Sequence, residues 1–296
     1  MRRRITTKLL NLMLLCSLFG AALSAQAESF PVSQSRASVT LKALSKPGQP
    51  PLGANNWQCR SSVHPYPVIL IPGTFNNMQV AYGALSPLLA NQGYCVFSLN
   101  YGGKRPDAYL QSTGSLEESN RAIAAFVQQV LNATGAEKVT LVGHSQGGLH
   151  AILIARSPAF AGKIAAVIGL APSTHGTELL DKFETAAQPT LMGALIKKVC
   201  VACEEQRENS SAVLPLNADS MIAPGVQYHI LATRDDHVIL PPSRSFIQNA
   251  QADNLYLQDV CPAHHVSHRG LLYDNATGQW VLSVLAGRPT RFSCKV

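Results

Sequence analysis

The sequence predicts an α/β domain built on a mostly parallel, doubly wound sheet. Three observations carry this reading. Short apolar runs of strand length recur from about Pro67 onward, stretches of helical periodicity separate them, and one run passes through a glycine-flanked serine straight into a helical segment. Strands alternating with helices are what a parallel sheet covered on both faces requires.

The strands come first. Val68–Ile71 is apolar throughout, as a strand buried on both faces should be. Cys95–Leu99, Val139–Val142, Ala165–Leu170, Val226–Ala232 and Asn254–Leu257 follow in the same style. Of the helices between them, the clearest starts at Ser115-Leu116-Glu117-Glu118. This is a capping box, in which the serine hydroxyl accepts from the third amide and the glutamate reaches back. Ile123, Phe126, Val127, Val130 and Leu131 then recur at helical spacing, and Gly135 ends the run. Ala81–Leu89 and Gly148–Ala155 read as shorter helices, and Leu271-Leu272-Tyr273 opens a final one.

Ser173 to Pro224 breaks the rhythm. About 50 residues separate two strand candidates there, far more than a usual strand–helix connection. The segment holds Leu179–Phe183, Leu191–Val199, Cys200 and Cys203, and the polar run Glu204–Ser211. It is expected to be a lid or substrate wall.

The N-terminus reads as an export signal. Arg2, Arg3, Arg4 and Lys8 precede an apolar stretch from Leu9 to Leu23, and Ala25-Gln26-Ala27 supplies an A-x-A cleavage site. The apolar stretch falls short of the roughly 20 residues that span a bilayer. Residues 1–27 are thus expected to be removed, 28–51 to form a loosely held lead-in, and 52–296 to form the catalytic domain. Loss of the four basic residues lowers the formal charge from +7 to +3. The basic pI is therefore partly a property of the signal, and no basic stripe of the kind nucleic acid needs remains.

Cys16 leaves with the signal. Cys59, Cys95, Cys200, Cys203, Cys261 and Cys294 remain, and six cysteines in an exported chain read as three disulfides. No second C-x-x-C accompanies Cys200 and Cys203, so structural bridges are favoured over metal or redox chemistry.

Gly143-His144-Ser145-Gln146-Gly147 is G-x-S-x-G. Its context makes it specific, since a strand leads in and a helix leads out, the geometry of a nucleophile elbow. Gly143 and Gly147 remove side chains that would collide with neighbouring backbone. Ser145 is the expected nucleophile, and the helix N-terminus behind it favours developing negative charge. The backbone N–H of Gln146 is the expected oxyanion donor. A second should come from Ile71-Pro72-Gly73-Thr74-Phe75, with the Thr74 amide first and Phe75 next, and the Thr74 hydroxyl could add a third.

Serine needs a base, and the base needs an acid to set its tautomer. The acid should follow the strand at Val226–Thr233, where Asp235 and Asp236 are adjacent, with Asp219 and Asp259 less well placed. The base should follow the last strand, where His264, His265 and His268 cluster; His229 and His237 fit poorly. Position alone leaves both choices open. No cofactor or metal is called for.

Together the motifs resemble a known family, the secreted bacterial triacylglycerol lipases of the α/β-hydrolase fold (class 2 lipase-like). The resemblance runs from about Asn56 to the final helix. It rests on Asn56-Trp57-Gln58-Cys59, His64-Pro65-Tyr66-Pro67-Val68, Leu85-Ser86-Pro87-Leu88-Leu89, Gly93–Gly102, Val142–Gly148, Ala171–Thr177 and Asp259-Val260-Cys261-Pro262. It implies Asp236 as the acid, lying before Val238 and Pro241, and His268 as the base, seven residues beyond Cys261. It also implies a Cys59–Cys95 bridge, and Cys200–Cys203 and Cys261–Cys294 are the pairs expected for the rest. Two departures stand out: Pro72 where many lipases carry histidine, and His237 directly after the acid.

The expected activity is hydrolysis of acylglycerol or other carboxylic esters through Ser145, His268 and Asp236, with the oxyanion held by Thr74 and Gln146. The expected partners are a lipid or small ester and a lipid–water interface. Leu179, Leu191 and Ile196 are candidates to line the acyl chain. A polyester depolymerase, an acyltransferase or a non-catalytic binding protein could share the scaffold, because fold alone does not fix function.

Overall fold

The computed structural model describes residues 29–179, 184–185, 188–189, 191–217 and 221–294. The expected signal peptide, Leu180–Phe183 and Asp219 lie outside the described residues.

The strands are β1 (Val68–Ile71), β2 (Val96–Ser98), β3 (Val139–His144), β4 (Ile164–Leu170), β5 (Gln227–Ala232) and β6 (Ala252–Tyr256). They form one sheet in the order β2-β1-β3-β4-β5-β6, and every pairing is parallel. A short antiparallel ribbon joins 184–185 to 188–189. The helices are α1 (Arg36–Ser45), α2 (Met78–Tyr82), α3 (Leu85–Asn91), α4 (Leu116–Thr134), α5 (Gln146–Arg156), α6 (Leu191–Val199), α7 (Val201–Glu205), α8 (Leu214–Asn217), α9 (Leu257–Val260) and α10 (Asn275–Leu285).

The apolar runs become strands for the reason their composition suggests. β1 is fully buried, and β3 is buried along its length. One core layer joins Val68, Leu70 and Val142 to Trp280 and Val281 of α10. The other joins Ile69, Ile71 and Leu141 to Ile123 and Val127 of α4 and to Ile152 of α5. α4 begins as its capping box requires, with the Ser115 hydroxyl accepting from the Glu118 amide at 3.2 Å, and ends at Gly135 in the left-handed region.

Two expectations are corrected. The helix expected over Ala81–Leu89 is two helices, α2 and α3, divided at Gly83 and Ala84. Val39 of α1 packs on that break: a Cβ at Gly83 would lie 2.4 Å from a Val39 methyl. The final helix starts later than expected, because Gly270–Leu272 is a 3₁₀ turn and α10 follows, capped by Asp274.

The lead-in carries α1, with Val39 and Ala43 buried, and the backbone of Phe30 exchanges two hydrogen bonds with Asn91. All three disulfides pair as expected. Cys59–Cys95 ties the segment before β1 to the entry of β2. Cys261–Cys294 ties the loop after β6 to the C-terminal tail, and Cys200–Cys203 closes one turn at the start of α7. Among the described residues, no helix is long and apolar enough to cross a membrane.

Candidate active site

Strand order places the site. β1 sends its chain to β2 on one side while β3 lies on the other, so the carboxyl ends of β1 and β3 flank a topological switch point. Crevices for ligands form there in open α/β sheets. The loop Pro72–Thr74 follows β1 and Ser145 follows β3, and Thr74 and Ser145 line one crevice.

Ser145 has φ 55° and ψ −126°, a strained conformation for a residue with a Cβ. The surroundings enforce it. Its amide donates to the Leu170 carbonyl at 3.0 Å, and its carbonyl accepts from Gly148 at 2.9 Å and Ser173 at 3.2 Å. A Cβ on Gly143 would lie 2.3 Å from the Gly147 carbonyl oxygen, and one on Gly147 would lie 2.0 Å from that of Ile71. Both glycines are therefore steric necessities of the turn. α5 starts at Gln146, so its N-terminus faces the crevice.

The loop after β1 is held just as closely. A Cβ on Gly73 would come within 2.8 Å of the Ser145 Cβ. The Tyr82 hydroxyl donates to the Ile71 carbonyl at 2.7 Å, and the Tyr101 hydroxyl donates to the Pro72 carbonyl at 2.5 Å. Burial raises the pKa of both phenols, so they stay protonated donors. The Thr74 hydroxyl donates to Gln146 Oε1 at 2.7 Å, joining the side chains of the two residues expected to supply the oxyanion amides.

Burial and partners separate the candidate carboxylates and histidines in space. Asp236 is buried. Its Oδ1 accepts from the amides of Val238 at 2.7 Å and Ile239 at 2.9 Å, and its Oδ2 lies 2.7 Å from Nδ1 of buried His268. Asp235 instead meets exposed His265 at 3.1 Å, while Arg234 pairs with Asp259. His264 is taken up by Asp274 at 3.2 Å and by the Cys294 carbonyl at 2.7 Å. His229 faces Asp253, and His237 is exposed. Of the three clustered histidines, only His268 lines a cavity with Ser145.

That cavity has a volume of about 140 Å³, and its walls are mostly apolar. Phe75, Leu179, Ile196, Val238 and Ile239 supply the walls, while Thr74, Ser145 and His268 supply the polar end. Leu179 and Ile196, two of the three candidates named to line an acyl chain, are among these wall residues. The side chain of Leu191 lies outside the described residues. A larger cleft of about 680 Å³, bounded by His64, Tyr94 and Arg288, contains none of these groups and is set apart from the chemistry.

Sequence reasoning missed three residues. His144 donates from Nε2 to the His268 carbonyl at 2.9 Å, bracing the backbone of the expected base. Burial, then the neighbouring His268, pushes its pKa well below the histidine range. Gln206, at the end of α7, donates to the Thr74 hydroxyl at 3.1 Å. His150, one turn into α5, lies 3.3 Å from the Gln146 side-chain nitrogen. Only His150 had a local signal, its four-residue spacing from Gln146 on one helix face.

This chain has the α/β-hydrolase fold, and residues 66–202 match the family model described as alpha/beta hydrolase fold. Among curated proteins it is similar to a triacylglycerol lipase of Pseudarthrobacter phenanthrenivorans, at 34% identity over 122 residues. That stretch is 39% of this chain and 35% of the relative. It is equally similar to a triacylglycerol lipase of Burkholderia plantarii, over 39% of this chain and 32% of that one. The match thus spans about a third of each lipase. Among solved structures, Aspergillus fumigatus lipase B superposes with a TM-score of 0.62 at 17% identity, covering 83% of this chain and 58% of that one. Mature Bacillus licheniformis lipase BlEst2 superposes with 0.55 at 14% identity, covering 80% and 96%.

Proposed function

We propose that this protein is an exported serine ester hydrolase, a lipase, in which Ser145 is the nucleophile, His268 the base and Asp236 the acid. The observation that carries the reading is the buried Asp236–His268 pair, 2.7 Å apart, opening on the same apolar cavity as a strained Ser145 at a strand-to-helix turn. With Nδ1 engaged by Asp236, Nε2 is the ring nitrogen left for the serine. It takes the hydroxyl proton as Ser145 attacks the ester carbonyl, then gives it to the departing alcohol. Water, activated the same way, releases the acid. The Thr74 and Gln146 amides hold the oxyanion, where loss of one donor typically costs about 2.7–4 kcal/mol.

The cavity supports an ester with an apolar acyl group. It is smaller than the roughly 300–1,000 Å³ of pockets that enclose whole drug-sized ligands. It therefore takes the first part of the acyl chain, and the remainder lies along the insertion. α6 supports contact with a lipid–water interface, because it sends Ile196 to the cavity and leaves Leu195 and Val199 about half exposed. Export rests on the N-terminal signal pattern and on the three disulfides.

The test is hydrolysis of p-nitrophenyl esters from acetate to palmitate by the wild type and Ser145→Ala. Turnover of long chains that disappears in the variant supports a lipase, and turnover of short chains alone makes it an esterase. Turnover that survives in Ser145→Ala, or none in the wild type, refutes the mechanism.

A further inference from the structure

Beside the proposed triad, a chain of hydrogen bonds crosses the crevice from α4 to the loop after β4, and the chemistry of its members dictates its direction. Asn120 Oδ1 can only accept, so His150 Nδ1, 3.3 Å away, carries a proton and donates. His150 is fully buried, and among the described residues no carboxylate hydrogen-bonds to it; its partners are the Tyr101 ring, edge-on at 5.4 Å, and the two amides. Burial lowers its pKa to about 3. The ring is therefore neutral, and its Nε2 accepts. The Gln146 Nε2–H donates to it at 3.3 Å, which turns Gln146 Oε1 toward Thr74. Gln206 closes the far end: its amide donates to Thr74 Oγ1 at 3.1 Å and to the Ala202 carbonyl at 3.0 Å, while its Oε1 accepts from Ser173 Oγ at 2.7 Å.

We propose that His150 is a positioning residue of the oxyanion hole. By accepting the Gln146 side-chain N–H, it fixes the amide whose Oε1 holds the Thr74 hydroxyl. That hydroxyl bond ties together the two residues whose backbone amides face the developing oxyanion, so their spacing is set before substrate arrives. Without His150, the Gln146 Nε2–H loses its acceptor, and the amide is held from its Oε1 side by the Thr74 hydroxyl at 2.7 Å and the Gln206 amide at 3.4 Å, so the tie is fixed less firmly. Preorganised donors act by not having to move during reaction, so the loss falls on kcat more than on KM. The inference rests on the proposed reading of Ser145, Thr74 and Gln146.

The test measures kcat per active site titrated with a fluorophosphonate, on a short p-nitrophenyl ester. Labelling and turnover by the wild type, abolished in Ser145→Ala, establish the underlying reading independently. His150→Phe, which keeps a ring without nitrogens, is expected to lose about tenfold in kcat with KM within about twofold. His150→Gln, which restores an acceptor, should stay within about threefold of the wild type. In a Thr74→Val background, where the tie is already absent, His150→Phe should cost less than about twofold more. Losses that multiply in the double variant, or equal losses in His150→Phe and His150→Gln, overturn the proposal. Should His150→Phe fail to fold, ¹⁵N spectra of the wild-type histidines decide. A proton on Nδ1 of His150 agrees with the chain, and a proton on Nε2 overturns it.

Discussion

Asp236→Asn exchanges one oxygen for an NH₂ and leaves the shape of the side chain unchanged, so its effect can be worked out from hydrogen bonds alone. In the native protein Oδ1 accepts from two buried amides, Val238 at 2.7 Å and Ile239 at 2.9 Å, and Oδ2 accepts from His268. An asparagine here has two orientations. If it offers its oxygen to His268, its NH₂ confronts two backbone donors, and each buried N–H left unpaired costs about 1–3 kcal/mol. That orientation lies about 2–6 kcal/mol above the other. The asparagine therefore keeps its oxygen on the amides and turns NH₂ toward His268. The imidazole must then accept at Nδ1 and carry its proton on Nε2, where it cannot take the proton of Ser145. Recovering the useful tautomer requires the same 2–6 kcal/mol, a loss of about 30-fold to about 10⁴-fold in kcat. The assay is turnover of p-nitrophenyl butyrate per fluorophosphonate-titrated site, with a thermal melt to show that the fold survives. Asp235→Asn, which touches only exposed His265, should stay within about twofold. A loss below about tenfold in Asp236→Asn, or a comparable loss in Asp235→Asn, would refute the assignment of the acid.

Two further outcomes follow from the packing around the elbow. Gly147→Ala places a methyl 2.0 Å from the Ile71 carbonyl oxygen and 2.6 Å from that of Pro72, atoms that cannot yield without moving the loop after β1. It should destabilise by more than about 3 kcal/mol, beyond the usual range for overpacking; a variant that melts and turns over like the wild type would disprove this. The second outcome concerns pH. His144 and His150 have folded pKa values below the roughly 6.5 of an unfolded histidine, about 3 for His150. The unfolded chain therefore binds more protons below that value. Their contribution to stability is present above about pH 6.5 and is lost as pH falls toward the folded pKa values. His150 steepens the acid limb by up to about 1.4 kcal/mol per pH unit between about pH 4 and pH 5.5, His144 acts in the same direction, and His150→Gln should remove the His150 share. Urea titrations across the range check it, and a variant with an unchanged slope would show that His150 is not held neutral by burial.

The strands were legible because each is buried on both faces, so burial wrote itself into consecutive residues. Val68–Ile71 shows this, its boundaries coinciding with those of the strand. The break between α2 and α3 was not legible, because Val39, which packs against it at Gly83, lies more than forty positions upstream. The elbow could be read because its constraints are local: two glycines, a serine and a strand-to-helix turn within a few residues. The proposed acid and base could not be separated from their neighbours by position. What distinguishes Asp236 from Asp235 is a pair of amides and a buried ring, and what removes His264 is Asp274 and a carbonyl from the C-terminal tail. Gln206 lies 60 positions from Gln146, and only the folded insertion brings them together.

Three buried histidines surround the nucleophile turn, and their partners divide their work. His144 and His150 meet a carbonyl and two amides, and among the described residues no carboxylate stands against either ring. Desolvation without a counter-charge makes protonation costly, so both serve as fixed neutral connectors, a donor to the His268 backbone in one case and an acceptor for Gln146 in the other. His268 is also buried but meets Asp236. Its ring nitrogen faces a carboxylate whose other oxygen accepts from two amides, the arrangement that the proposed general base requires. The same burial that disqualifies the other two as bases keeps them from competing for the serine proton.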